Sequence, residues 1–201
     1  MTRDRLKKEA RGQINGNNIW ILFLMHLIMA VIILGCAAVP VIGWIAVIIM
    51  KAVFDISICM IFLNIAKKED ISVGDIFKGF NITGEAVWLK IITTFFTFLW
   101  TLLFIIPGII KTYSYSMAPF ILADNPELTA SEALSESIRI MEGHKFDLFV
   151  LELSFILWYI LCLITSGIAY IYVRPYVRAT ITNFYNDIKE KKVEAEVIEE
   201  F

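Results

Sequence analysis

The chain has 201 residues, 58% of them hydrophobic and 19% charged, with 18 Lys and Arg against 20 Asp and Glu. A mean hydropathy of +0.71 excludes an ordinary soluble domain, whose apolar share is about 45–50%. The basic residues hug the apolar segments and form no groove-tracking cluster, which excludes nucleic acid as a partner.

Residues 2–16 place Leu6, Ala10 and Ile14 on one helical face with Arg3, Arg5, Lys7, Lys8 and Arg11 around it. This predicts an interfacial helix on the cytoplasmic leaflet, held by anionic headgroups. The first span follows over Ile19–Val39, between Asn17-Asn18 and Pro40. It is read as a retained span rather than a cleaved signal, because the basic region is long and the apolar run is of spanning length. A second span covers Val41–Ala66 and ends at Lys67-Lys68-Glu69-Asp70; the uncharged turn around Val39-Pro40 lies on the far side. Ser72 and Asp75 have capping-box spacing, and Val73, Ile76, Phe77 and Phe80 form an amphipathic stripe, which predicts a short helix on the inner surface.

The third span is Ala86–Ile106, stopped by Pro107-Gly108. The next apolar run, Ile109–Ala123, gives with its flank about sixteen residues, roughly 24 Å of helix against a roughly 30 Å hydrocarbon core. It is a short span, a re-entrant segment or the far half of a kinked helix. Charge decides between them. If it returns to the inside, fourteen Lys and Arg lie inside and only Lys111 outside; if it does not, the split is nine against six. The first distribution obeys the positive-inside rule. Thr129-Ala130-Ser131-Glu132 is a capping box that opens a second surface helix, with Gly143 in the stop position. The fifth span is Phe146–Thr165, Ser166-Gly167 is the outer turn, and the sixth span is Ile168–Asn186.

The predicted fold is therefore an all-α polytopic membrane bundle of six crossings, with amphipathic surface helices on the cytoplasmic side and both termini cytoplasmic. Residues 1–18 form the interfacial segment, 19–188 the membrane domain and 189–201 a charged, solvated tail. Cys36, Cys59 and Cys162 all lie in apolar runs and read as small packing residues, not disulfide partners.

The stretch from Leu99 to Tyr185 carries a recognisable signature: LWTLLFIIPGIIKTYSYSMAPFILADNPELTASEALSESIRIMEGHKFDLF, then VLELSFILW, closing with RPYVRATITNFY. It resembles a bacterial membrane family known as domain of unknown function 975, and the opening KKEARGQINGNNIW is similar to that family's start. More loosely, the layout is similar to the membrane part of some bacterial glycerophosphodiester phosphodiesterases. The resemblance implies a polytopic membrane protein of bacterial type and supplies no reaction, substrate or catalytic residue.

Charges inside the spans are the candidates for chemistry. An ionised residue at the bilayer centre costs roughly 2.5–3.5 kcal/mol on insertion scales, so it should face the bundle or a wet cavity. Lys51 and Asp55 share a face of the second span; Arg174 and Arg178 share one in the sixth; Glu152 lies in the fifth. At ~1.5 Å per residue from the inner ends, Asp55 lies at about 18 Å and Arg174 at about 19 Å, Glu152 at about 10 Å and Arg178 at about 13 Å. These depths predict the pairs Asp55–Arg174 and Glu152–Arg178. Thr93, Thr97 and Thr101 add a hydroxyl stripe in the third span. The functional reading is a polar path or binding pocket for a small solute, lipid or peptide in a transport- or export-related protein. The alternative is an accessory, assembly or immunity-type membrane partner whose ion pairs only hold the bundle. His26 and His144 are distant from each other, no Cys–His cluster occurs, and no phosphate loop, nucleophile elbow or HExxH is present. No metal, cofactor or enzymatic activity is expected. The expected partners are the lipid bilayer and a protein partner or second copy of the chain.

Overall fold

The computed structural model describes residues 3–14, 17–37, 42–103, 105–165 and 169–199. All regular structure among them is helical. The elements are α1 (Arg3–Gln13), α2 (Asn17–Ala37), α3 (Ile42–Ala66), a 3-10 helix (Val73–Ile82), α4 (Thr83–Leu103), α5 (Ile105–Tyr115), α6 (Ala118–Asp124), α7 (Ala130–Ile140), α8 (Lys145–Leu153), α9 (Ile156–Ile164) and α10 (Tyr170–Glu199). The predicted turns at Val39-Pro40 and Ser166-Gly167 lie outside the described residues.

The inner half of α3 forms the centre. Ala52, Val53, Phe54, Ile56, Ser57, Cys59, Ile61, Phe62 and Leu63 are all buried, which is the pattern of a helix enclosed on every side. α2, the 3-10 helix, α4, α6 and α10 surround it. α6 is enclosed too, with Phe120, Ile121 and Leu122 buried. The outer helices are built the opposite way: Trp20, Leu34, Leu102, Leu157, Leu163 and Ile164 are 70–80% exposed. An apolar surface of that extent demands an apolar solvent. Among the described residues, four helices are long and apolar enough to cross a membrane: Asn18–Ala37, Ile45–Ala66, Val73–Leu102 and Lys145–Ile164. The other two expected spans fall short for local reasons. Residues 105–124 are split between α5 and α6, and α10 carries Arg174 and Arg178.

Contacts at the basic end show how the chain doubles back. Lys67, just past α3, donates to Asp124 at the end of α6 (3.1 Å), and Lys189 of α10 donates to the same carboxylate. The backbone N–H of Ala130 at the start of α7 donates to Glu85 at the start of α4 (2.6 Å). The stretch 105–124 thus leads from the far end of α4 back to the end where α3 finishes.

Its break has a traceable cause. Pro119 has no N–H to give, and Ser116 turns its hydroxyl onto the Tyr113 carbonyl (2.8 Å). The buried Ser137 hydroxyl of α7 donates to the Ser114 carbonyl beside the break (2.8 Å), so a backbone acceptor loosened inside the bundle regains a donor. Pro107 and Gly108 do not stop the third span, as their sequence suggested; both sit inside the first turns of α5, where proline is tolerated. Gly108 has a packing role: a Cβ there would lie 2.8 Å from the Thr101 Cα and closer still to its hydroxyl. The absent side chain lets α4 and α5 pack as a tight hairpin.

Both predicted capping boxes form, at Ser72/Asp75 and Thr129/Glu132. Behind the first, Gly79 comes close enough for its N–H to donate to the buried Ser57 hydroxyl (3.0 Å). Gly143 takes φ +82° beyond α7, the left-handed conformation glycine supplies without penalty.

One further expectation needs correction. Leu6, Ala10 and Ile14 of the first amphipathic segment are buried, because α1 lies on α10 instead of presenting that face to lipid. Gln13 and the Leu6 carbonyl both bond Asn183 (3.0 and 3.4 Å), and Arg11 donates to the Tyr176 hydroxyl (3.2 Å). The charged stretch continues α10, which runs from Tyr170 to Glu199. The fifth span is bent where α8 meets α9, with the Phe155 N–H donating to the Glu152 carbonyl in a tightened turn (2.9 Å).

Candidate functional site

Asp55 is the junction of two cavities, one on each side of α3. Toward α4, α5 and α6 lies a space of about 470 Å³ lined by Asp55, Lys90, Thr93, Thr97, Thr112 and Ser116 among others. Toward α2, α9 and α10 lies a space of about 230 Å³ lined by Asp55, His26, Tyr159, Tyr170, Arg174 and Arg178 with apolar neighbours. Spacing along the helices explains the second group. Arg174 and Arg178 are one turn apart on α10, and Tyr170 continues their face.

The pairings differ from those that depth alone suggested. Asp55 is bound to Lys90 of α4 (3.3 Å), both side chains about half exposed. Arg174 shares the cavity with Asp55, but its described close partner is the Tyr170 ring, 5.7 Å away. Glu152 accepts from the Tyr113 hydroxyl of α5 (2.8 Å) in place of Arg178. Arg178 instead lies over the Phe120 ring (4.9 Å) and donates through Nη2 to the Cys59 sulfur (3.0 Å). Its Nε is buried without an acceptor among the described residues.

Lys51 is exposed on α3, with no ion-pair partner among the described residues. Thr97 lines the larger cavity, whereas Thr101 donates to the Thr97 carbonyl (2.7 Å) and packs against Gly108. The structure therefore groups Asp55, Arg174 and Arg178 at one cavity and Asp55 and Thr97 at the other; Lys51, Glu152 and Thr101 lie elsewhere. Among the described residues no group of three His, Cys, Asp or Glu is placed to hold a metal ion.

Sequence reasoning missed Lys90, His26 and Asp124. Lys90 sits near the inner end of α4, and its partner is decided by how α4 packs on α3. His26 was a lone histidine in α2, its Nδ1 2.7 Å from the Leu22 carbonyl, and faces the arginines only because α2 packs beside α10. Asp124, at the end of α6, gathers Lys67, Lys189 and the Tyr185 hydroxyl (3.4 Å).

Apolar helices with an exposed apolar exterior define a helical integral membrane protein; Asp55, Arg174 and Arg178 line clefts between its helices, Asp55 about half exposed and Arg174 exposed. Residues 102–192 match the model of the family described as Protein of unknown function (DUF975). The match begins near the end of α4, so it does not reach the N-terminal KKEARGQINGNNIW pattern. The looser likeness to the membrane part of glycerophosphodiester phosphodiesterases gains no support. Comparisons with curated proteins and with solved structures gave no match.

Proposed function

We propose that this is a non-enzymatic protein of the bacterial cytoplasmic membrane that crosses six times, with both termini in the cytoplasm. In it, a polar core binds a small solute, lipid or peptide for transport or export. The topology is supported by the charge split, fourteen Lys and Arg at one end against Lys111 at the other. The meeting of Lys67, Asp124 and Lys189 at one end agrees with it. The observation that carries the binding role is Asp55 at the junction of two cavities, one of which also holds Arg174 and Arg178. Ionisable groups at membrane depth are expensive and concentrate where function needs them.

The test is cysteine accessibility in intact membranes. Single cysteines replace Asp55, Arg174 and Arg178, with the buried Ile61 as control, in a background lacking Cys36, Cys59 and Cys162. A small water-soluble thiol reagent should label the three polar positions and leave position 61 silent. Silence at all three in a folded protein would overturn the polar-core reading. It would favour a structural membrane partner, a role with which the Asp55–Lys90 pair and the seating of Arg178 on Phe120 and Cys59 are consistent.

A further inference from the structure

The cavity holding the two arginines adjoins a second, apolar one of about 210 Å³. Both are lined by His26, Tyr170, Arg174 and Pro175. The apolar one adds Leu22, Phe23, Leu27 and Ile171, and the last three are 37–49% exposed on the outer face of the bundle. A charged chamber thus continues into an apolar slot that opens where lipid chains would lie.

Charge in the chamber is unbalanced. Asp55 is its only carboxylate among the described residues, and Lys90 already engages it. Arg174 and Arg178 have no carboxylate partner among the described residues, and Arg178 offers a buried Nε with no acceptor beside a bond to sulfur, a weak acceptor. A guanidinium in an apolar span needs an oxyanion to satisfy its donors, and its planar fork suits a carboxylate or phosphate.

We infer that the site takes an anionic amphiphile: an ionised carboxylate or phosphate head against Arg174 and Arg178, and an apolar chain along Leu22, Phe23, Leu27 and Ile171. This inference rests on the polar-core reading above and narrows its ligand class. The head chemistry is shared by a fatty acid, an anionic phospholipid and free phosphate; the slot selects against the last.

Native mass spectrometry of the full chain, released from detergent after titration, tests this with four probes: phosphatidylglycerol, diacylglycerol of the same chains, dodecanoate and inorganic phosphate. One phosphatidylglycerol or dodecanoate should be retained per chain, at least about tenfold more tightly than diacylglycerol, which has no anionic head; that factor is the weight of one charge-assisted hydrogen bond. R174Q/R178Q should abolish the preference, and Leu27→Trp, which fills the slot, should weaken both amphiphiles. Equal retention of diacylglycerol by the wild-type chain overturns the inference without requiring any variant to fold. Inorganic phosphate binding as tightly as the amphiphiles overturns the role of the slot. If cysteine labelling succeeds and this preference is absent, the polar core stands and the amphiphile falls; silent cysteines remove both.

Discussion

Replacing Asp124 with Asn tests whether the chain is tied at its basic end as described. The Asp124 side chain is only 9% exposed, while Lys67 and Lys189 are 53% and 46% exposed. Half-exposed lysines limit each ion pair to about 0.2–1 kcal/mol, and the long bond from Tyr185 adds about 0.5–1 kcal/mol. Asn preserves shape and one acceptor but removes the charge, so D124N should cost about 1–2 kcal/mol. Unfolding in mixed micelles, followed by helicity, gives the midpoint shift. A double-mutant cycle with Lys189→Met isolates the pair, and a positive coupling is expected. Additivity within about 0.3–0.5 kcal/mol, or an unchanged D124N midpoint, would refute the tie. The pH dependence has a definite sign. Burial alone would raise the Asp124 carboxyl, but the bonds from Lys189 and Lys67 outweigh it and hold it below its ordinary value. Its contribution is thus complete above the unfolded carboxylate value of about 3.9 and lost as pH falls through the lower folded value. D124N should remove that part of the acid sensitivity.

Gly108→Ala should lower stability by about 1–3 kcal/mol through overpacking against the Thr101 backbone, whereas Gly12→Ala, with open space around its Cβ, should raise it by about 0.5–1 kcal/mol; thermal unfolding in detergent compares the two, and equal shifts would deny the tight α4–α5 approach. Ser137→Ala should cost about 1–3 kcal/mol by stranding the Ser114 carbonyl, and faster amide exchange confined to residues 113–121 would place the damage at the α5–α6 break.

Sequence alone determined the helical membrane class, the positions of α2, α3 and α4 to within a few residues, and both capping boxes. These follow from local chemistry: run length against bilayer thickness, and side chains that bond their own backbone. The same information located Asp55, Arg174 and Arg178, since a charge in an apolar run is conspicuous by composition. It did not decide their partners. Depth counting set Asp55 level with Arg174, yet a helix also turns about its axis. That rotation, fixed by how the inner half of α3 packs among α2, α4, α6 and α10, gives Asp55 to Lys90 and leaves the arginines lining a cavity with His26. The burial of α1 was equally out of reach, because an apolar stripe edged with bases suits lipid or α10 alike. Which surface covers such a stripe is settled by the groove the rest of the chain leaves open, and only the tertiary structure contains that groove.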